Sequence, residues 1–84
     1  MTADELKHKI KDYIVAEFLP GELPDNVTDD LPLISGGILD SIATLKLVLF
    51  IEEQCGVTLE AHEAGKENMD TINQMISTIT AKLG

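Results

Sequence analysis

The chain contains no arginine and only one cysteine, and six lysines stand against fifteen acidic residues. The formal net charge is −9. Nucleic acids and anionic membranes are bound through basic side chains, so a surface this poor in them excludes both as partners. A lone cysteine, Cys55, excludes an internal disulfide, and its place in an apolar run is that of a small hydrophobe. No apolar stretch approaches the length of a membrane span, and the opening Met-Thr-Ala-Asp-Glu does not make a signal peptide. Membrane insertion is therefore not expected, and the expected compartment is the cytoplasm. Nothing alternates as a strand should, and there is neither an internal repeat nor a low-complexity tract.

What is present suits one small domain over residues 1–84. A domain of this size buries only about 60 to 65 per cent of its unfolded surface and is too small to enclose a deep substrate cavity. A protein that serves other enzymes fits better than an enzyme. The acids are unevenly placed: seven lie from Asp12 to Asp40 and four from Leu47 to Gly65, with no lysine in either stretch. A field of one sign steers partners that carry basic patches, although the same charge also serves solubility.

The hydrophobic pattern is helical. Thr2 and Glu5 form a capping-box signature, and Leu6, Ile10, Ile14 and Phe18 recur behind it, which predicts a helix over about 2–19, stopped by Pro20 and Gly21. Residues 20–40 hold all three prolines and the Gly36-Gly37 pair, and no period survives there. Val27, Leu31, Leu33, Ile34, Ile38 and Leu39 give this loop enough apolar anchors to pack as an ordered connection. A second helix is expected over about 41–55, bounded by Asp40 and Gly56. Leu47, Val48, Ile51 and Cys55 form its core stripe, while Ile42, Leu45 and Leu49 fall on the other side, beside Ser41. Those three either mark a contact site or lie covered by the long loop. A short helix is expected near 60–65. A last helix over about 70–83 follows from Ile72, Met75, Ile76, Ile79 and Leu83, with Asp70 or Thr71 as its cap. The fold class read from this pattern is all-α, with three substantial helices, one short one and a long first loop.

The stretch that could carry chemistry is Gly36-Gly37-Ile38-Leu39-Asp40-Ser41-Ile42. A serine hydroxyl at a helix N-terminus is accessible, and the free N–H groups and positive dipole end there favour an attached phosphate. Asp and Ser are equally the preferred caps of any helix, so the local pattern alone leaves both readings open.

With Asp40-Ser41-Ile42 opening its second helix and Glu52-Glu53 near that helix's end, the chain resembles the acyl and peptidyl carrier proteins. The order helix, proline-bearing loop, helix, short helix, helix extends the resemblance from Leu6 to Leu83. It implies an acyl-carrier-type four-helix bundle in which Ser41 receives 4′-phosphopantetheine from coenzyme A. A phosphopantetheinyl transferase would attach the arm, with Asp40 orienting the site, and an acyl- or aminoacyl-loading ligase would charge its thiol. Downstream synthases or transferases in fatty-acid, lipid or secondary-metabolite biosynthesis would receive the thioester. Ile42, Leu45 and Leu49 would form the apolar docking surface, and Glu52 and Glu53 would face basic patches on partners. The carrier is expected to be a monomer. Many fatty-acid carriers have acids where this chain has Ala43 and Lys46, which implies a dedicated partner set. Gly-Ile-Leu-Asp-Ser resembles stand-alone aminoacyl and D-alanyl carriers as much as fatty-acid ones.

Other chemistries fit poorly. An EF-hand started at Asp25 puts Val27, Asp30 and Gly36 at its third, sixth and twelfth positions, where it needs an oxygen ligand, a glycine and a glutamate. His8, His62 and Cys55 lack metal-ligand spacing, and nothing near Ser41 suggests a catalytic base. The competing reading is a helical adaptor without a prosthetic group, whose exposed second-helix stripe simply binds another protein.

Overall fold

A computed structural model of the chain describes residues 2–83. It has four α-helices and, among the described residues, no strand: α1 (Ala3–Phe18), α2 (Ser41–Cys55), α3 (Lys66–Met69) and α4 (Ile72–Leu83). The amide of Glu5 donates to Thr2 Oγ1 at 3.1 Å and that of Thr2 to Glu5 Oε1 at 3.3 Å, so a reciprocal capping box starts α1. Leu6, Ile10, Ile14 and Val15 bury its inner stripe. Asp40 caps α2, which ends at Gly56, whose φ of 68° is the left-handed conformation that glycine adopts without strain. Thr71 and Gln74 cap the start of α4 reciprocally, each accepting from the other's amide at 3.1 Å. The core joins Ile10 and Ile14 of α1, Leu47 and Ile51 of α2, Met69 of α3, and Ile72, Met75 and Ile79 of α4, all fully buried. No polar side chain is fully buried among them.

The short helix is displaced from its expected window. Residues 61–65 form turns, and the helix begins only after Gly65. From Glu60 to Gly65 only the partly buried Ala64 packs against the core, so little holds a helix there; Met69 supplies a fully buried anchor further on. Of the two expected caps, Thr71 rather than Asp70 starts the last helix, which therefore begins at Ile72; the Asp70 carboxylate is turned towards the long loop.

That loop is ordered by three buried anchors and two carboxylates. Val27, Leu33 and Leu39 sit in the core, and a turn of 3₁₀ helix covers Pro24–Asn26. The Leu33 amide donates to the Asp70 carbonyl at 2.7 Å, and the Asn73 amide to the Asp29 carbonyl at 3.0 Å. The Asp29 carboxylate pairs with Lys11 at 2.7 Å and Lys7 at 2.8 Å on α1. Those two ammonium groups, Lys11 foremost, lower its pKa to about 2. Asp70 Oδ1 accepts from the amides of Ile34 and Ser35 at 2.8 and 2.9 Å, and Oδ2 from the Ser35 hydroxyl at 2.7 Å. The Ser35 amide and hydroxyl, with the Ile34 amide, hold its carboxyl below the usual carboxylate range. The middle of the loop is thus fastened to α1 through Asp29 and to the α3–α4 junction through Leu33, Ile34 and Ser35. The segment leading into α2 leaves from the second of these fastenings.

Candidate functional site

The Asp40-Ser41 step is built by its own backbone. Asp40 is extended (φ −83°, ψ −174°), and its Oδ1 accepts from the Ala43 amide at 2.7 Å. Its carbonyl accepts from the Thr44 amide at 2.9 Å and the Thr44 hydroxyl at 2.8 Å. These bonds complete the first turn and place Ser41 as the first helical residue. The Ser41 side chain is exposed, and its hydroxyl enters no hydrogen bond among the described residues. As the first two residues of a helix, Ser41 and Ile42 have amides without intrahelical acceptors. The site therefore offers a free hydroxyl, two free N–H donors and a positive helix end.

A groove of about 520 Å³ opens beside that hydroxyl. Ile34 and Leu39 of the loop, Thr44, Leu45 and Val48 of α2, and the 64–66 segment line it together with Asp40 and Ser41. Ala64 and Gly65 lead into α3 at Lys66, so the displaced α3 start helps shape the site.

The outer face of α2 is apolar and uncovered. Ile42, Leu45 and Leu49 keep 68, 59 and 55 per cent of their surface in contact with solvent, so the loop does not bury them. Their spacing places them on one side of the helix with Lys46 and Glu53, both exposed. Leu47, Val48 and Ile51 are buried on the other side. Glu52 is half-buried, and its Oε2 accepts from the Leu59 amide at 2.8 Å, tying it to its own chain. Beneath this face Phe50 stacks on Tyr13 of α1 with ring centroids 4.1 Å apart, and Tyr13 meets Phe18 edge-on at 5.8 Å.

Ser41, Asp40, Ile42, Leu45, Leu49 and Glu53 therefore share one accessible surface, while Glu52 lies at its edge. Sequence reasoning did not place Thr44 and Lys66 at the site. Thr44 was within reach, since it lies one helical turn beyond Asp40. Lys66 carried no local signal, because only the fold brings it to the groove. Among the described residues, no three metal-ligating side chains converge and no helix is long and apolar enough to cross a membrane.

Scanned against models of protein families, the chain matches none. Individual proteins do match. The chain is 30 per cent identical over 67 residues to a D-alanyl carrier protein of Streptococcus mutans, covering 80 per cent of this chain and 82 per cent of that one. It is 30 per cent identical over 74 residues to a probable acyl carrier protein, PigG, of Serratia sp., covering 88 and 84 per cent. Among solved structures, the acyl carrier protein of Enterococcus faecalis superposes with a TM-score of 0.78 at 27 per cent identity, covering 98 per cent of this chain and 99 per cent of that one.

Proposed function

The chain belongs to the acyl carrier protein family, and we propose that it carries acyl or aminoacyl groups on a 4′-phosphopantetheine arm attached to Ser41. The observation that carries this reading is an exposed, unengaged hydroxyl at the N-terminus of α2, beside a largely apolar groove. The residues present fit such a group. The free amides of Ser41 and Ile42 suit a phosphodiester, and the groove offers a long, mostly apolar chain a surface to lie on.

In attachment, the Ser41 hydroxyl oxygen attacks the phosphorus that bears pantetheine in coenzyme A. The bond to adenosine 3′,5′-bisphosphate breaks, and the hydroxyl proton passes to a base on the transferase. Asp40 fixes the first turn of α2 and with it the backbone position of Ser41. When bound, the arm supplies a terminal thiol that holds cargo as a thioester. Ile42, Leu45 and Leu49 form the apolar centre of the docking surface for the transferase, the loading ligase and the downstream enzymes. Glu53 faces basic residues on those partners, and Glu52 adds charge from the edge. The protein acts as a substrate and partner of enzymes, working as a monomer in the cytoplasm.

Intact-mass spectrometry after incubation with coenzyme A and a broad-specificity phosphopantetheinyl transferase tests this. Wild type gains the mass of one phosphopantetheine, and Ser41→Ala gains nothing. An unchanged wild type overturns the proposal in favour of an adaptor that binds partners through the same exposed face.

A further inference from the structure

The groove beside Ser41 is lined by two ionisable side chains, Asp40 at the start of α2 and Lys66 at the start of α3. Lys66 has no carboxylate within ion-pair distance among the described residues. Lys7 and Lys11 pair with Asp29, and Lys82 pairs with Glu63. Lys46 is likewise unpaired; it lines a neighbouring depression with Phe18, Asp40, Ile42 and Ala43, which adjoins the groove at Asp40 but does not include Ser41. The acid one turn beyond Lys66 is Asp70, whose two oxygens are already engaged by Ile34 and Ser35. Lys66, exposed and without an ion pair among the described residues, therefore lines an otherwise largely apolar groove whose other charge is negative; its charge also reaches Asp70, the weakest of the influences that lower that carboxyl's pKa.

A phosphodiester on Ser41 adds a negative charge next to Asp40, in a chain whose net charge is already −9. The two free amides of α2 meet part of that charge. We propose that Lys66 meets the rest: it is a positioning residue whose ammonium pairs with the phosphodiester on Ser41 and draws the arm into the groove. This rests on the carrier reading above. The phosphodiester is the arm's only anionic group, so the uncharged-cargo, free-thiol form isolates the interaction.

The test compares apo and holo forms of wild type, Lys66→Ala, Lys66→Arg and Lys66→Glu, each checked for loading by intact mass. Lys66 is exposed, so the apo variants are expected to fold as wild type does. Two readouts follow loading: the ³¹P resonance of the phosphodiester and the amide shifts of Gly65 and Lys66, taken as holo-minus-apo differences within each variant. In wild type both amides shift on loading, and about 0.5 M salt reduces the effect by screening. Lys66→Ala moves the ³¹P resonance towards its high-salt position and at least halves the Gly65 shift. Lys66→Arg keeps both effects, and Lys66→Glu removes them. Full loading with Lys66→Ala spectra identical to wild type overturns the role of Lys66 and leaves the carrier function standing. No added mass on wild type overturns both.

Discussion

At position 36 a methyl group has nowhere to go. A β-carbon on Gly36 would collide with the Pro32 carbonyl oxygen, which is backbone and cannot swing aside. Gly36→Ala is expected to destabilise the fold by about 1 to 3 kcal/mol in urea unfolding, by the overpacking of a close backbone approach. Ser41→Ala is the contrasting case. It removes an exposed, unbonded hydroxyl, so stability should stay within about 0.5 kcal/mol while loading is lost entirely. At this scale the sequence was legible where chemistry is local. The Asp40 cap, the Ser41 position and the Thr2–Glu5 box all depend on neighbours three or four residues away. Asp29 and Asp70 were not legible, because their partners lie 22 and 36 residues distant, at Lys7 and Ile34. Nothing in a run of acids says which one will be captured.

Among the elements, α2 has two apolar faces with opposite fates. Leu47 is fully buried, and Leu47→Ala should cost about 2 to 4 kcal/mol as a cavity forms. A domain of this length has only about 4 to 12 kcal/mol in all, so thermal unfolding should show a large drop in midpoint. Leu45→Ala, on the exposed face, should leave the midpoint nearly unchanged but weaken the transferase interaction, read as a rise in KM for the apo carrier. The division into two faces was legible from the 100° periodicity. Whether the loop would cover the outer face was not, because that depends on where Val27, Leu33 and Leu39 insert. The short helix was misplaced for a similar reason: Met69 is the buried residue, and a four-residue helix has too little periodicity to announce itself. Lys46→Glu probes the reversed charge on the docking helix. If the carrier serves a dedicated partner set, this change should raise turnover with standard fatty-acid synthase enzymes; no gain counts against that expectation.

For the whole molecule the question is what holds a helix-poor quarter of the chain in one place. Asp29 contributes through its two lysines, and its folded-state pKa is lowered to about 2. A depressed carboxylate stabilises above its unfolded value of about 3.9 and loses that contribution as pH falls through about 2. Asp29→Asn should therefore cost stability at neutral pH, with the gap to wild type closing between about pH 4 and pH 2. The side chain is 37 per cent exposed, so solvent screening limits the cost to about 1 kcal/mol. The same net charge of −9 acts outward: association with a basic transferase should slow as ionic strength rises, measurable as a falling kcat/KM. Fastened at Asp29 and again at Leu33 to Ser35, the loop gives the start of α2 a defined mount. If Ser41 bears the arm, the reach of a bound cargo is then set chiefly by the length of the tether. If Ser41 is the anchor, it shares a single helix with the exposed apolar face, and an enzyme seated there would shut out the next one. Customers must take turns, and each handover requires the previous visitor to let go.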